Sequence, residues 1–431
     1  MKRTLFTVLM LLLLNHPAAA SVCKITGQKG NWGLEVDGKP FALKGAGCAD
    51  ITGLEGADYF KLALEMGVNT IRTWGIDQGT ETYLNTAEKY GLKVDAGIWM
   101  PHCNFMREKK VFSYLGNSVT YPGAPSLEAL EEEALAYVAK YKDHPAILMW
   151  NVGNETLFFT NEDEERVAFC KYLEKIVQKI KVLDPDHPVL YTLAGTSMLP
   201  YLAKYVPSLD IIGINTYGGV DTIPLEMAEQ GLNKPFLITE AGPRLPLDRP
   251  KDEFGRSVDE ADYEKAFHYQ YLLEEIEKVK GSCLGGFVFY LGETTQESLT
   301  WWNITYGPYL RESYHTIAAY YTGKTLANKP PLCTDLTLDK TLVAPGEKMT
   351  ATIKAWDREK DDLQYKIKVG TSKENLLIHR VNEEIPIKVL NAGPVTEFQA
   401  PAIPGIYKLH AFVLDGHQNV STRTVAFKVE G

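Results

Sequence analysis

The chain has 431 residues, of which 45% are hydrophobic and 23% are charged, proportions that are typical of a folded globular protein and argue against a disordered or collagen-like one. Its 45 basic and 55 acidic residues give a formal net charge of −10, which disfavours nucleic acid and anionic membranes as partners. The length suits one large domain followed by a small one.

The N-terminus has the three parts of a secretory signal peptide. Lys2 and Arg3 precede an apolar run from Leu5 to Leu14, and small residues follow up to Ala20. The run is too short for a membrane-spanning helix of the mature protein. We therefore predict a signal peptide over residues 1–20, cleavage after Ala20, and a secreted or periplasmic protein without membrane insertion. An uncleaved anchor is the less favoured alternative.

Six cysteines are compatible with either disulfides or buried thiols in an exported protein, and the sequence does not choose between them. None is part of a Cys-x-x-Cys motif or of a His/Cys ligand spacing, so we predict no metal site and no cofactor. The cysteines are Cys23, Cys48, Cys103, Cys170, Cys283 and Cys333.

Residues 21–325 alternate between strand-like and helix-like segments. The strand-like segments are continuous apolar runs, which are typical of parallel strands buried on both faces. Eight such units predict a (β/α)₈ TIM barrel; a doubly wound sheet, the alternative, would usually carry a Gly-rich nucleotide loop, which we do not find. The predicted strands are Phe41–Gly45, Asn69–Trp74, Lys93–Met100, Ile147–Asn154, Val189–Ala194, Ile211–Tyr217, Pro235–Glu240 and Cys283–Tyr290.

The C-terminal region begins after a Pro-containing linker at residues 326–332, which predicts a separable module. Residues 333–431 alternate with period two between turn signals and predict an Ig-like β-sandwich, similar to PKD-like or cadherin-like modules. Its acidic residues Asp357, Asp361 and Asp362 are compatible with calcium binding, although solvated turn residues are the favoured interpretation.

Polar residues stand where the predicted barrel strands end, which is where TIM-barrel enzymes carry their active sites. Two of them, Glu155 and Glu240, end very apolar runs, where a carboxylate is costly unless it is bonded or used. A facing pair of carboxyl groups is what glycoside cleavage requires, and nearby aromatic residues suit sugar faces. The other strand-end residues are Arg72, Trp74, His102, Asn154, Asn215, Tyr217, Trp301 and Trp302.

The segment His144–Glu155 resembles the acid/base strand of clan A retaining glycosidases, most closely of glycoside hydrolase family 2. Phe236–Gly242 resembles their nucleophile strand, and Gly67–Arg72 and Asp210–Tyr217 resemble other strands of the same barrel. The stretch from Gly67 also resembles family 72 β-1,3-glucanosyltransferases, and the strand-end pattern is similar to family 5.

The resemblance implies a role for each strand-end residue. Glu155 would be the general acid/base and Glu240 the nucleophile. Asn154 would bind the sugar 2-hydroxyl, and Arg72 and Tyr217 would hydrogen-bond Glu240. The residues expected to contact substrate are Trp74, His102, Asn215, Trp301 and Trp302, with either Trp301 or Trp302 as a stacking platform.

The predicted function is hydrolysis of a β-linked oligo- or polysaccharide of the β-glucan, β-galactoside or β-mannan type with retention of configuration. A β-glucanosyltransferase would use the same site. A non-catalytic carbohydrate-binding or adhesion protein is the alternative from another class, although it would have no need to keep both Glu155 and Glu240.

Overall fold

The computed structural model describes residues 20–75, 77–105, 109–116, 124–373 and 381–431. The signal-peptide prediction therefore falls outside the described residues except at Ala20, and export stays a prediction. Within the described part of the chain, no helix combines the length and the apolar composition needed to cross a membrane.

The strands and helices follow one another in the predicted order, with short hairpins added. The strands up to residue 310 are β1 (Cys23–Gln28), β2 (Asn31–Val36), β3 (Lys39–Pro40), β4 (Leu43–Gly47), β5 (Thr70–Arg72), β6 (Lys93–Ile98), β7 (Asn104–Phe105), β8 (Lys109–Lys110), β9 (Ile147–Asn154), β10 (Val189–Ala194), β11 (Ile211–Asn215), β12 (Phe236–Ala241), β13 (Cys283–Val288), β14 (Thr305–Tyr306) and β15 (Tyr309–Leu310). The helices are α1 (Tyr59–Met66), α2 (Thr80–Tyr90), α3 (Leu127–Tyr141), α4 (Asp163–Leu183), α5 (Leu199–Tyr205), α6 (Ile223–Glu229), α7 (Asp262–Lys278) and α8 (Glu312–Thr322).

Eight parallel strands close into a barrel in the order β10-β11-β12-β13-β4-β5-β6-β9, which confirms the TIM-barrel prediction. Each predicted strand-like run overlaps one of these strands, although β4 and β12 end beyond the predicted runs, at Gly47 and Ala241. The apolar runs follow from burial on two sides, since barrel strands face an inner core and a ring of helices. In β9, all eight residues are buried.

The N-terminal hairpin covers the end of the barrel opposite to the strand termini that carry the predicted site. Strands β1, β2 and β3 form a small antiparallel sheet. Cys23 and Leu34 from this sheet share a core cluster with residues at the beginnings of barrel strands, including Leu43, Ile211 and Leu237. This end of the barrel is therefore closed, and the opposite end is left for binding.

The C-terminal region consists of two β-sheets, as the period-two pattern predicts. One sheet has four strands in the order β16-β18-β22-β21, the other five in the order β17-β24-β23-β19-β20, and residues of both share a core. The immunoglobulin-like topology and the domain boundaries stay predictions. The strands are β16 (Leu332–Leu338), β17 (Leu342–Val343), β18 (Lys348–Trp356), β19 (Gln364–Thr371), β20 (Glu384–Ile385), β21 (Val389–Asn391), β22 (Val395–Gln399), β23 (Gly405–Leu414) and β24 (Val420–Val429).

The six cysteines are all buried and unpaired, so of the two possibilities the structure has buried thiols. Burial raises the pKa of Cys23 to about 11, with Ser21 opposing this through a hydrogen bond. These thiols therefore stay protonated and act as small apolar core residues at neutral pH.

Candidate active site

The strand-end residues meet at the open end of the barrel. Asn154 is the last residue of β9, Glu155 follows it, and Glu240 lies near the end of β12. Strand β11 lies between β10 and β12 and contributes Asn215 at its end. Parallel strands bring their carboxyl ends to one rim, which is why residues separated by up to 168 positions in the chain are hydrogen-bonded here.

Glu240 accepts hydrogen bonds from three different side chains. Its Oε1 accepts from Arg72 Nη1 at 2.8 Å and from Trp74 Nε1 at 2.9 Å. Its Oε2 accepts from the Tyr217 hydroxyl at 2.9 Å. Three donors, one of them cationic, stabilise negative charge on this carboxylate and fix its orientation.

Arg72 is 1% exposed and connects Glu240 to two other residues. Its Nη2 donates to Asn154 Oδ1 at 2.7 Å, and its Nε lies 3.6 Å from Asp95 Oδ2. Burial raises the pKa of Asp95 to about 6, although Arg72 and a hydrogen bond from Asn151 oppose the shift. Asp95 is therefore a positioning residue that we did not predict; its only sequence signal is a lone carboxylate within the apolar run of β6.

Glu155 has an unusual backbone conformation that directs its side chain into the site. Its φ is 56°, and Gly153 before it has φ 91°. A Cβ at Gly153 would lie 3.1 Å from Tyr191 and 3.2 Å from Met100, so the chain requires glycine there. A non-glycine residue in the left-handed region is uncommon and is concentrated at functional sites.

The environment of Glu155 differs from that of Glu240. Burial, followed by the charge of Glu240, raises the pKa of Glu155 to about 7, while a hydrogen bond from Asn215 and the charge of Arg72 oppose the shift. Asn215 Nδ2 donates to Glu155 Oε1 at 2.7 Å. Near neutral pH this carboxyl group therefore exists in both protonation states, as a group that gives and takes a proton must.

Two adjoining cavities share the pair of carboxyl groups. The first, of about 290 Å³, is bounded by Tyr217, Trp302 and the loop around Pro246. The second, of about 320 Å³, is bounded by Trp74, Trp99 and His102. Because Glu155 and Glu240 line both cavities, they stand between two binding regions and can act on a bond that joins two sugar units.

The structure separates the two tryptophans after the eighth strand. Trp302 lines the first cavity and lies 5.2 Å from Tyr217, ring centre to ring centre. Trp301 is 1% exposed, donates its Nε1 to Arg244 O, and lies under Lys408 of the sandwich. Trp302 is therefore positioned as the platform, whereas Trp301, also predicted to contact substrate, supports the loop from behind.

His102 lies at the rim of the second cavity. Its Nε2 is 2.8 Å from the Asn154 carbonyl oxygen, and its ring stacks on Phe159 at 4.5 Å. Trp99, 44% exposed, lies 4.9 Å from His102 and offers an aromatic surface that our sequence analysis missed, although it directly follows β6.

Glu293, beyond the eighth strand, lines the second cavity and is held by two hydrogen bonds. Its Oε1 accepts from the Tyr59 hydroxyl at 2.7 Å and from Leu54 N at 2.8 Å. No local pattern indicates this position, because both donors lie more than 230 positions earlier in the chain.

Most of the barrel also matches a known protein family. Residues 33–298 match the family described as glycosyl hydrolases family 2, TIM barrel domain. The β-glucuronidase of Sus scrofa is 28% identical over 234 residues, which are 48% of this chain and 31% of that protein; the β-glucuronidase of Pongo abelii is 26% identical over 62% of this chain and 40% of its own length. The matches thus span about a third of the length of these curated relatives.

Solved structures show the same fold at low sequence identity. A β-glucuronidase 2 of Bacteroides uniformis, covalently bound to cyclophellitol-6-carboxylate aziridine, aligns with a TM-score of 0.51 and 15% identity, over 95% of this chain and 48% of that one. A family 2 β-galacturonidase of Eisenbergiella tayi bound to galacturonate aligns with a TM-score of 0.52 and 16% identity, over 70% and 54%. The resemblances to families 72 and 5 stay predictions.

Proposed function

This chain belongs to glycosyl hydrolase family 2 through its TIM-barrel domain, and from that premise we propose that it hydrolyses β-linked glycosides with retention of configuration. Glu240 attacks the anomeric carbon and forms a covalent glycosyl-enzyme. Glu155 protonates the leaving oxygen and then removes a proton from the water that releases the sugar.

The observation that carries this proposal is the asymmetry between the two carboxyl groups. Glu240 accepts three hydrogen bonds, including one from buried Arg72, as an anionic nucleophile requires. Glu155 accepts its hydrogen bond from the neutral amide of Asn215, and its pKa is raised to about 7. When two carboxyl groups differ in this way, the one that stays ionised is assigned as the nucleophile, here Glu240, and the one with the raised pKa as the acid, here Glu155.

Asn154 is placed to bind the sugar beside the reacting carbon. Its Oδ1 accepts from Arg72 at 2.7 Å and from Asn215 at 3.2 Å, so the carbonyl side of the amide is used within the protein. The NH₂ group is the part that can donate to a sugar hydroxyl, and such a bond strengthens in the transition state. Trp302 supplies an apolar face for the C–H groups of the ring.

We propose further that the substrate is a neutral glycoside rather than a uronide. Four carboxyl groups line the two cavities, those of Glu155, Glu240, Glu293 and Glu297, and the described lining residues include no lysine or arginine. A sugar carboxylate would find no lysine or arginine among these described lining residues, whereas hydroxyl groups can donate to the carboxylate oxygens. This separates the chain from its glucuronidase relatives in specificity while keeping their chemistry.

Azide rescue tests the two roles. With a dinitrophenyl glycoside, Glu155→Ala should still form the glycosyl-enzyme, and azide should release it as the retained β-glycosyl azide. In Glu240→Ala, azide replaces the nucleophile from the opposite face and gives the inverted product. Glu132→Ala, an exposed site on α3, is the matched control and should behave like wild type. If Glu155→Ala gave the inverted azide and Glu240→Ala the retained one, the two role assignments would have to be exchanged.

A panel of aryl β-glucosides, β-galactosides, β-mannosides and β-glucuronides, together with β-glucans, tests the substrate class. We expect turnover of at least one neutral glycoside and at least tenfold lower kcat/KM for the glucuronide. Preference for the glucuronide would refute the neutral-substrate proposal alone. Binding without turnover, unchanged in Glu240→Ala, would refute the glycosidase and favour a carbohydrate-binding protein.

A further inference from the structure

Two loops at one end of the sandwich bring three carboxylates together. Asp357 and Asp361 lie in the loop between β18 and β19, and Asp415 begins the loop between β23 and β24. One oxygen from each lies within 4.8 Å of the others. The calcium alternative in the sequence analysis named Asp362; the structure leaves Asp362 exposed and outside this cluster, and puts Asp415 in its place.

One carboxylate of the cluster has an oxygen without a hydrogen-bond partner among the described residues. Asp357 is 9% exposed, and its Oδ2 is buried without a hydrogen bond, while its Oδ1 accepts from Glu359 N and Asp361 N. A buried anionic oxygen is normally bonded to a donor or a cation. Here the Asp357 carboxylate lies beside two further carboxylates, which add repulsion instead of compensation.

The charges around the cluster leave most of this repulsion uncompensated. Among the described residues, the basic side chain within ion-pair distance of the cluster is His417, whose Nε2 lies 3.5 Å from Asp361 Oδ1 and whose side chain is 58% exposed. Nearby Arg358 pairs instead with Glu312 of α8. The other polar neighbours are neutral amides: Asn328 donates to Asp361 at 2.6 Å, and Asn419 donates to Asp415 at 2.7 Å.

We propose that Asp357, Asp361 and Asp415 form a Ca²⁺ site. The donors are all oxygens, which suits a hard cation and not zinc or copper. They come from two irregular loops and not from a rigid octahedral cage, which favours Ca²⁺ over the smaller Mg²⁺. The cation satisfies the buried Asp357 oxygen and neutralises the three charges.

The site connects the sandwich to the barrel. Asn419, which donates to Asp415, is hydrogen-bonded through Oδ1 to His315 of α8 at 2.8 Å and through Nδ2 to Asn328 of the linker at 2.6 Å. None of the three aspartates lines the two cavities that hold Glu155 and Glu240. Ca²⁺ should therefore stabilise the chain without taking part in the chemistry, and this proposal stands independently of the proposed function.

Terbium luminescence and thermal denaturation of the full chain test the site. Trp356 directly precedes Asp357 and is 50% exposed, so it should sensitise bound Tb³⁺, and Ca²⁺ should displace the signal more effectively than Mg²⁺. Ca²⁺ should also raise the Tm with saturation, relative to protein in EDTA. Asp357→Asn and Asp415→Asn should weaken Ca²⁺ binding at least tenfold, whereas the matched control Asp362→Asn should bind like wild type.

The luminescence and Tm measurements can overturn the proposed Ca²⁺ site. No Tb³⁺ signal and no Tm shift in the wild-type protein would overturn the proposal, as would equal loss of binding in Asp362→Asn. If Asp357→Asn does not fold, Asp415→Asn and the wild-type Ca²⁺ and Mg²⁺ titrations still decide the question. Turnover of an aryl glycoside well below the Tm should be equal in EDTA and in Ca²⁺; loss of turnover in EDTA with unchanged Tm would place the cation elsewhere.

Discussion

Replacing Lys408 with Met should destabilise the whole chain, because this lysine joins the sandwich to the loop that carries Trp302. Lys408 is 4% exposed; its Nζ donates to Ser257 O at 2.8 Å and pairs with the buried carboxylate of Asp259. Asp259 in turn accepts from the Ser298 hydroxyl at 2.6 Å, at the start of the loop. Burial alone would raise the pKa of Asp259, but Lys408 and Lys265 outweigh it and hold the pKa at about 2.

The size of the effect follows from the charge that the substitution leaves behind. Breaking a buried ion pair by removing one partner typically costs about 3–5 kcal/mol. With an unfolding entropy of about 2.1 cal/mol/K per residue, a chain of this length loses roughly 1 °C of Tm per kcal/mol, so we expect a fall of about 3–6 °C. The stability that ionised Asp259 contributes is fully present above the pKa of aspartate in the unfolded chain and is lost as the pH falls towards 2. The difference in Tm between Lys408→Met and wild type should therefore shrink in acid.

Scanning calorimetry at pH 7 and at pH 3 measures this loss, and a double-mutant cycle with Asp259→Asn isolates the pair. The double variant should recover part of the lost Tm, because it leaves no buried charge unpaired. Turnover should fall as well, since Trp302 lies on the same loop. An unchanged Tm in Lys408→Met, or a double variant no more stable than the single one, would refute the reasoning.

Four further perturbations test the site itself. The value of kcat/KM should fall above about pH 7, because Glu155 then loses the proton that it must donate. Glu155→Gln should remove this alkaline fall from the pH profile, and a wild-type profile that does not fall would contradict the acid role of Glu155. Asp95→Asn should lower kcat about tenfold with little change in KM, because Arg72 loses its orienting partner, and a change in KM alone would argue against this. Gly153→Ala should lower stability by about 1–2 kcal/mol through its positive φ alone, with activity falling too; an unchanged Tm would show that the turn relaxes. Trp302→Ala should raise the KM for oligosaccharides several-fold and the KM for aryl substrates by less.

The barrel and its catalytic pair could be predicted because their signals are local. Each barrel strand is a short apolar run, and the strand-end rule then selects the residue that follows it. Glu155 and Glu240 stand out because a carboxylate in such a run is costly without a partner. The same logic could have identified Asp95, which lies inside an apolar strand and is fully buried, but it was overlooked because it precedes the strand end.

The position of the loop that carries Trp302 could not be predicted, because the groups that hold this loop are far from it in the chain. Lys265 of α7 donates to Thr300 O and Trp301 O, both at 2.8 Å, and Leu299 N donates to His410 of the sandwich at 3.3 Å. In the sequence, Lys265 belongs to an ordinary charged helix and His410 to an alternating strand, so neither pattern distinguishes a loop support from a solvated or core residue.

The composition of the linker predicts a separable module, whereas the interface between sandwich and barrel is a reason to expect that the barrel depends on the sandwich. The contacts between barrel and sandwich include buried polar ones: Thr422 is hydrogen-bonded to Arg311 and Asp262, which pair with each other within the barrel, and Lys408 pairs with Asp259. Removing the sandwich takes away Lys408 and His410, the groups that hold Asp259 and Leu299 in place. Because the loop that carries Trp302 is held at this interface, we expect catalysis in a chain shortened before residue 332 to fall with the order of that loop.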